Sequence, residues 1–168
     1  TNVKNVILVN SGTSALHIAL HAMNIKVEDE VILPSMTFVA TANAIKYCNA
    51  TPHFVDSEEG TLGMDPITLE RWLKKIVIKK GNYSFNKYTN KRISAIVPMH
   101  TFGHPCKINE LIKIAREYNL KLIEDAAESL GSFYNGKHVG GFGNIGILSF
   151  NGNKTITTGA GGAILTNN

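Results

Sequence analysis

The sequence lacks several features that would place it outside the ordinary globular proteins. It has only two cysteines, Cys48 and Cys106, which are too few for a disulfide framework and lack the paired spacing of a zinc site, so we expect free thiols and no metal. No apolar run approaches the roughly 20 residues that a membrane-spanning helix needs. Hydrophobic residues make up 43% and charged residues 18% of the 168, which excludes a disordered or collagen-like chain. We therefore expect a soluble, cytoplasmic domain.

One long stretch of the chain has no acidic residues. Between Arg71 and Lys107 there are nine basic residues and no acid, whereas the net charge of the whole chain is +4. Such a stretch could bind the phosphates of a nucleotide or a nucleic acid. Because residues 79–92 show little apolar periodicity, we interpret most of the stretch as a solvated loop. A nucleic-acid-binding α/β domain stays an alternative, although no stripe of interleaved aromatic and basic residues supports it.

Short apolar runs alternate with helical patterns along the chain. Predicted strands lie at residues 6–9, 31–33, 53–55, 93–97 and 120–123. Predicted helices lie at residues 11–24, 37–47, 66–76 and 108–118. This alternation predicts an α/β fold, with a mostly parallel sheet and helices on both of its faces. The continuous apolar run at residues 6–9 favours a strand that is buried on both faces. Two further apolar pieces, at residues 147–148 and 163–165, need not be parallel to the rest.

Two glycine-rich segments match cofactor-binding motifs in their letters but not in their context. Residues 141–146 match the dinucleotide fingerprint, which needs a strand before it and a helix after it. Here the segment follows a turn at Asn135–Gly136 and leads into a predicted strand. Residues 131–137 resemble a phosphate loop, but His138 replaces the hydroxyl residue that would hold magnesium. Both motifs are rejected.

Three other segments carry polar side chains just after predicted strands, where open α/β sheets bind ligands. Residues 11–14 (Ser-Gly-Thr-Ser) could hold a phosphate at a helix N-terminus, or simply cap that helix. Glu124 and Asp125 end an apolar strand, so that one faces the crevice and the other points away. The crevice carboxylate would pair with a protonated heterocyclic nitrogen, or else cap a helix. Lys154 stands alone among glycines and small polar residues, either as a Schiff-base amine or as a surface lysine.

Together these segments suit pyridoxal 5′-phosphate (PLP). Residues 11–14 would cradle the phosphate, the carboxylate would face the pyridinium nitrogen, and the lysine would bond to the aldehyde. Phe38 offers an aromatic ring that could stack on the pyridine face.

The sequence also resembles the sugar aminotransferases of the DegT/DnrJ/EryC1/StrS family, within the fold-type I PLP enzymes. The matching stretches are residues 11–17, 29–34, 124–131 and 149–154. Residues 100–105 and the pair Glu128–Ser129, which follows Asp125-Ala126-Ala127, are most similar to the LegC-type branch. That branch aminates UDP-linked 4-keto-6-deoxy-N-acetylhexosamines for surface glycans.

The resemblance implies a role for each matching side chain. Lys154 would bond to the cofactor and later carry a proton, and Asp125 would pair with the pyridine nitrogen. Phe38 would stack on the ring. Glu128 would lie beside the ring hydroxyl, where many members of the family have Gln or His. Ala160 replaces a Glu that is common in the family.

The phosphate contacts implied by the resemblance come from three hydroxyls, those of Thr13, Ser14 and Ser149. Residues 1–168 would form part of the large, cofactor-binding domain, without the N-terminal segment and the C-terminal small domain that family members have. A fragment of this extent would be inactive alone, and its parent protein would be a homodimer.

The implied reaction moves an amino group from an amino acid, with glutamate as the expected donor, to a nucleotide-linked keto-deoxy sugar used in cell-surface polysaccharide synthesis. A sister chemistry on the same fold, PLP-dependent 3-dehydration of sugars, has His in place of the lysine. Lys154 therefore favours amino transfer.

Overall fold

The computed structural model describes residues 1–168. It has eleven strands and four α-helices, which agrees with the predicted α/β fold. In chain order the elements are β1 (Asn5–Val9), α1 (Gly12–Ala22), β2 (Glu30–Pro34), α2 (Val39–Tyr47), β3 (Thr51–Val55), α3 (Pro66–Ile76), β4 (Val77–Lys80), β5 (Tyr83–Asn86), β6 (Arg92–Ile96), α4 (Ile108–Glu117), β7 (Lys121–Asp125), β8 (Phe133–Tyr134), β9 (Lys137–His138), β10 (Ile145–Ser149) and β11 (Gly162–Thr166). A short 3-10 turn at Thr101–Gly103 precedes α4. None of the helices is both long enough and apolar enough to span a membrane.

The main sheet is mostly parallel. Its strands lie in the order β1-β11-β10-β7-β6-β2-β3, and the five from β10 to β3 run parallel to one another. Strand β11 is antiparallel to both of its neighbours, β10 and β1. The prediction of a parallel sheet with departures near the C-terminus is confirmed.

Helices cover both faces of this sheet and bury a separate apolar cluster on each. One cluster joins α1 and α2 to the sheet through side chains such as Leu16, Ile45 and Val31. The other joins α3 and α4 to the opposite face through side chains such as Leu73 and Ile32. Because successive side chains of a strand point to opposite faces, Val31 and Ile32 belong to different clusters.

The strand at residues 6–9 forms, but the prediction that both of its faces are buried is wrong. Strand β1 lies at the edge of the sheet and pairs only with β11. Val6, Ile7 and Leu8 are exposed, and Leu8 is 76% accessible to solvent. A continuous apolar run is typical of a central strand, but it does not specify the place of the strand in the sheet.

The interpretation of residues 79–92 as a loop is also wrong. Strands β4 and β5 form an antiparallel hairpin whose second strand pairs with β6. The side chains that β5 turns inward are the polar ones of Ser84 and Asn86. Ser84 donates to the Tyr118 carbonyl oxygen (2.6 Å), and Asn86 donates to the buried Glu30 carboxylate. Apolar periodicity therefore could not reveal this strand.

Both cysteines are free thiols, as predicted. Cys106 is fully buried, and burial raises the pKa of its thiol. Cys48 is partly buried, and burial raises its pKa as well.

Candidate cofactor-binding site

A cavity of about 210 Å³ lies at the carboxyl ends of the parallel strands β7 and β10, beside the first turn of α1. Its walls come from segments that are far apart in the sequence. The lining residues are Ser11, Gly12, Thr13, Leu16, Phe38, Ala40, Met99, Asp125, Ala127, Ser149, Asn151, Asn153 and Lys154. This is the edge of an open α/β sheet at which ligands bind.

The N-terminus of α1 forms one wall of the cavity. Ser11 caps the helix, since its Oγ accepts a hydrogen bond from the backbone N–H of Ser14 (3.0 Å). The Ser14 hydroxyl lies 2.9 Å from that same Oγ, and Ser14 is not among the residues that line the cavity. The predicted role of Ser14 in phosphate binding stays a prediction. The cap prediction and the ligand prediction for this segment are compatible, because Ser11 and Thr13 line the cavity while Ser11 also caps the helix.

Gly12 allows this helix to approach the end of β10 closely. A Cβ atom at Gly12 would lie 2.8 Å from the Cβ atom of Ser149. The glycine therefore brings the hydroxyl-bearing residues Thr13 and Ser149 to the same cavity. The first N–H groups of a helix have no partner within the helix, and they favour a bound anion.

Asp125 ends β7 and turns its buried carboxylate to the cavity. Thr41 donates a hydrogen bond to its Oδ2 (2.7 Å) and the backbone N–H of Ala127 donates to its Oδ1 (3.2 Å). No cation lies within ion-pair distance of it. Burial raises the pKa of Asp125, and the hydrogen bonds offset only part of that effect. A cationic N–H group in the cavity would be a suitable partner for this carboxylate.

The neighbouring Glu124 points to the other face of β7, which confirms the predicted alternation. Its carboxylate accepts hydrogen bonds from the backbone N–H groups of Gly140, Phe142 and Gly143 at 2.6 to 2.8 Å, and from His100 Nε2 at 3.1 Å. Burial raises its pKa, but the bonds from His100 and the backbone act more strongly and hold that pKa below the usual value.

The glycine motif at residues 141–146 thus donates to an internal carboxylate. Two of its N–H groups, those of Phe142 and Gly143, bind Glu124, and the segment leads into β10 rather than into a helix. The rejection of a dinucleotide-binding motif is confirmed, because no helix N-terminus follows it.

Lys154 lies in the loop between β10 and β11, but it is not a surface lysine. Its side chain is only 10% exposed. The Nζ atom donates to Glu128 Oε1 at 3.2 Å and lies 5.6 Å from the centre of the Phe38 ring. The lysine that stands alone in the sequence is therefore paired in the structure, with a carboxylate 26 positions earlier in the chain.

Five of the seven residues singled out from the sequence line the cavity together. They are Thr13, Phe38, Asp125, Ser149 and Lys154. Glu128 contacts the site through Lys154, and Ser14 faces the helix cap.

Sequence reasoning missed three polar residues of the site. Asn151 and Asn153 line the cavity, and their position just before Lys154 was the available signal. Thr41 gave no such signal, because the carboxylate that it contacts lies 84 residues further along the chain.

The chain is similar to known proteins over almost its whole length. The chain is 46% identical over 166 residues to GDP-perosamine synthase of Escherichia coli O157:H7. The match covers 99% of this chain but 41% of that relative, so the chain spans about two-fifths of its length.

Two solved structures share the fold over nearly the whole chain. A DegT DnrJ EryC1 StrS aminotransferase from Brucella abortus matches with a TM-score of 0.88 and 34% identity, over 99% of this chain and 42% of its own. NtdA from Bacillus subtilis, solved with bound cofactor PMP, matches with a TM-score of 0.82 and 33% identity, over 99% of this chain and 34% of its own.

The family model of the DegT/DnrJ/EryC1/StrS aminotransferases matches the chain over residues 1–168. The chain therefore belongs to the DegT/DnrJ/EryC1/StrS aminotransferase family.

Proposed function

We propose that this chain is part of the cofactor-binding domain of a PLP-dependent aminotransferase that acts on a nucleotide-linked keto sugar. One observation carries the proposal: the buried carboxylate of Asp125, which makes no ion pair, and the amine of Lys154 line the same cavity. The GDP-perosamine synthase relative supports a sugar-nucleotide substrate. The PMP bound to NtdA supports the cofactor, since PMP is the amino form of PLP.

The residues present fit this cofactor at both of its ends. Thr13, Ser149 and the N-terminus of α1 would hold the phosphate through hydroxyl and backbone N–H donors. Asp125 would accept a hydrogen bond from the protonated ring nitrogen, and this cation would supply the partner that the buried carboxylate lacks. Phe38 would lie against the ring.

When bound, the cofactor supplies a carbonyl carbon that takes up the amino group and a ring that withdraws electrons from the reacting carbon. Lys154 Nζ would bond to that carbon before the amino acid arrives, and would afterwards move the proton at the reacting carbon as base and acid. Ionised Asp125 would keep the ring nitrogen protonated. A lysine at this position favours amino transfer over the 3-dehydration that uses His.

Further features of the whole protein belong to the same proposal. Residues 1–168 would form part of a large domain, and glutamate would be the amino donor. The protein would act in the cytoplasm as a homodimer whose other parts contact the nucleotide sugar. Membership of the LegC-type branch stays a prediction.

The alternative of a nucleic-acid-binding domain has little support from the basic stretch. Several of its cations already have partners within the chain: Lys91 pairs with Glu28 and Lys74 pairs with Glu70. Lys79 donates to the Glu117 carbonyl oxygen, and Arg92 pairs with Asp29.

Reductive trapping tests the proposal directly. The intact protein is incubated with PLP, reduced with borohydride and digested, and its peptides are mapped by mass spectrometry. We expect a pyridoxyl group on Lys154, its loss in Lys154→Ala and its retention in Lys137→Ala. Labelling at another lysine, or none, would reject the proposal. Salt-dependent oligonucleotide binding that persists in Lys154→Ala would favour the nucleic-acid alternative.

A further inference from the structure

The carboxylate of Glu128 connects Lys154 to a strained backbone turn. Its Oε1 accepts from Lys154 Nζ at 3.2 Å, and its Oε2 accepts from the backbone N–H of Phe102 at 2.9 Å. Phe102 has a φ of +53°, in the left-handed region that is uncommon for a residue with a side chain. Surrounding contacts must hold such a conformation, and the Glu128 hydrogen bond is one of them.

The backbone of Glu128 is fixed against the same turn. Gly103 has a φ of +83°, and a Cβ atom there would lie 3.0 Å from the Glu128 carbonyl oxygen. Glu128 thus meets the turn through both its main chain and its side chain. Its second carboxylate oxygen is therefore held at a defined place, from which it reaches Lys154.

The proposed function requires Lys154 to act while it is not bonded to the cofactor. A free lysine side chain has four rotatable carbon–carbon bonds, and holding it in one place costs rotamer entropy. A proton transfer to or from carbon needs the amine within hydrogen-bond reach of the reacting atom. Some group must therefore hold the free amine in the cavity.

We propose that Glu128 is a positioning residue, which keeps the unbound Lys154 amine at the reacting centre. This inference rests on the proposed function. The contact is largely shielded from solvent, since the two side chains are 10% and 23% exposed, and a shielded, charge-assisted hydrogen bond is stronger than a surface ion pair.

No other group takes this role. Asp125 lines the same cavity, but its oxygens accept from Thr41 and Ala127 and it makes no ion pair with the lysine. Phe38 contributes a ring 5.6 Å from Nζ, which adds a cation–π attraction without fixing a direction. Glu128 supplies the direction.

The variant Glu128→Gln removes the negative charge and leaves one acceptor oxygen for two donors, the Phe102 N–H and Lys154 Nζ. Because the amide nitrogen can only donate, one of the two contacts is lost, and a contact kept to Lys154 no longer joins it to an anion. Glu128→Ala removes both contacts. Glu70→Gln is the matched control, because it breaks an exposed Glu–Lys pair with Lys74 far from the cavity.

The first measurement uses the intact protein without cofactor. It is methylated with formaldehyde and cyanoborohydride, and the labelling of each lysine is mapped by mass spectrometry with exposed Lys121 as the internal reference. We expect methylation of Lys154 relative to Lys121 to rise several-fold in Glu128→Gln, because an amine that is held less firmly is more accessible to the reagent, and to stay unchanged in Glu70→Gln.

The second measurement uses the enzyme loaded with PLP. We expect kcat to fall about 10- to 100-fold in Glu128→Gln, while KM for the amino donor changes little, because the amine is misplaced but the donor still binds. Unchanged methylation and unchanged kcat in Glu128→Gln would overturn the inference, whereas absence of a pyridoxyl adduct on Lys154 in the unmodified protein would overturn the proposed function instead.

Discussion

The carboxylates of Glu124 and Asp125 are adjacent in the chain, yet they lie on opposite faces of strand β7 in opposite electrostatic settings. Glu124 accepts three backbone N–H bonds and one from His100, which hold its pKa low. Asp125 has two donors and makes no ion pair, and burial raises its pKa. One strand end thus supplies a carboxylate whose ionised form is stabilised by its hydrogen bonds and another whose ionised form is opposed by burial.

Removal of the Glu124 charge should destabilise the protein strongly. In Glu124→Gln one acceptor oxygen becomes an amide nitrogen, so either Gly140 and His100 or Phe142 and Gly143 lose their acceptor, and the new amide hydrogens have none. We expect a loss of about 3 kcal/mol or more in the free energy of unfolding, measured by urea denaturation. Glu117→Gln, at an exposed carboxylate, should change stability by no more than about 0.5 kcal/mol. Equal stabilities for the two variants would contradict this assignment.

The cofactor-free protein should carry a stability cost at Asp125 that depends on pH. The folded-state pKa of this acid is raised, so its ionised form opposes folding, and stability should increase as pH falls through the raised value towards the ordinary value of 3.8. We expect cofactor-free Asp125→Asn to be more stable than the unmodified protein at pH 7, with a difference that shrinks on acidification. Thermal unfolding across this pH range measures it.

The same Asp125→Asn substitution should weaken PLP binding, because the ring nitrogen loses its anionic partner. Fluorescence titration with PLP gives the affinity. A variant that is less stable than the unmodified protein at pH 7, or that binds PLP equally well, would count against the role proposed for this carboxylate.

The close approach at Gly12 should be intolerant of a larger side chain. In Gly12→Ala the new methyl group would lie 2.8 Å from the Ser149 Cβ atom, so the start of α1 must move away from β10. We expect a cost of about 1–3 kcal/mol in stability and weaker retention of PLP on gel filtration. Gly152→Ala is the control, since a Cβ atom there meets nothing within 4 Å. Similar losses in both variants would show that crowding at Ser149 is not the cause.

The hairpin β4–β5 should depend on its buried polar contacts. Asn86 donates to both oxygens of the buried Glu30, which also accepts from Thr89 and lies 2.8 Å from His53 Nδ1. Burial raises the pKa of Glu30, but its hydrogen bonds outweigh this effect and hold the pKa below the usual value. The carboxylate therefore stays ionised and depends on its donors. We expect Asn86→Ala to cost about 1–3 kcal/mol in chemical denaturation.

Lys87→Ala is the control for this hairpin, because Lys87 directly follows Asn86 and is exposed to solvent. Its effect on stability should stay within about 0.5 kcal/mol. Hydrogen exchange adds a second measurement, in which the amides of β5 should lose protection in Asn86→Ala and keep it in Lys87→Ala. Rapid exchange of these amides in the unmodified protein would contradict an ordered hairpin.

The sequence predicted the structure well where neighbouring residues determine the local structure. The N-terminus of α3 is an example: Asp65 accepts from the N–H groups of Ile67 and Thr68, and Pro66 occupies the first helical position, as such sequences predict. The strands of the parallel sheet formed where apolar runs predicted them. The hairpin escaped prediction because its buried side chains are polar, and β1 was misplaced because an apolar run does not reveal which strand lies at the edge.

The sequence by itself determined the alternation of strands and helices, the helix starts and the segments that carry hydroxyl, carboxylate and amine groups. These features follow from local geometry, since the period of a strand or helix and the chemistry of a cap involve residues a few positions apart. Only the tertiary structure decided that Thr41 meets Asp125 and that Glu128 holds Lys154, across 84 and 26 positions of chain. Such contacts depend on the order of strands in the sheet and on which face each side chain takes, and no local pattern encodes either.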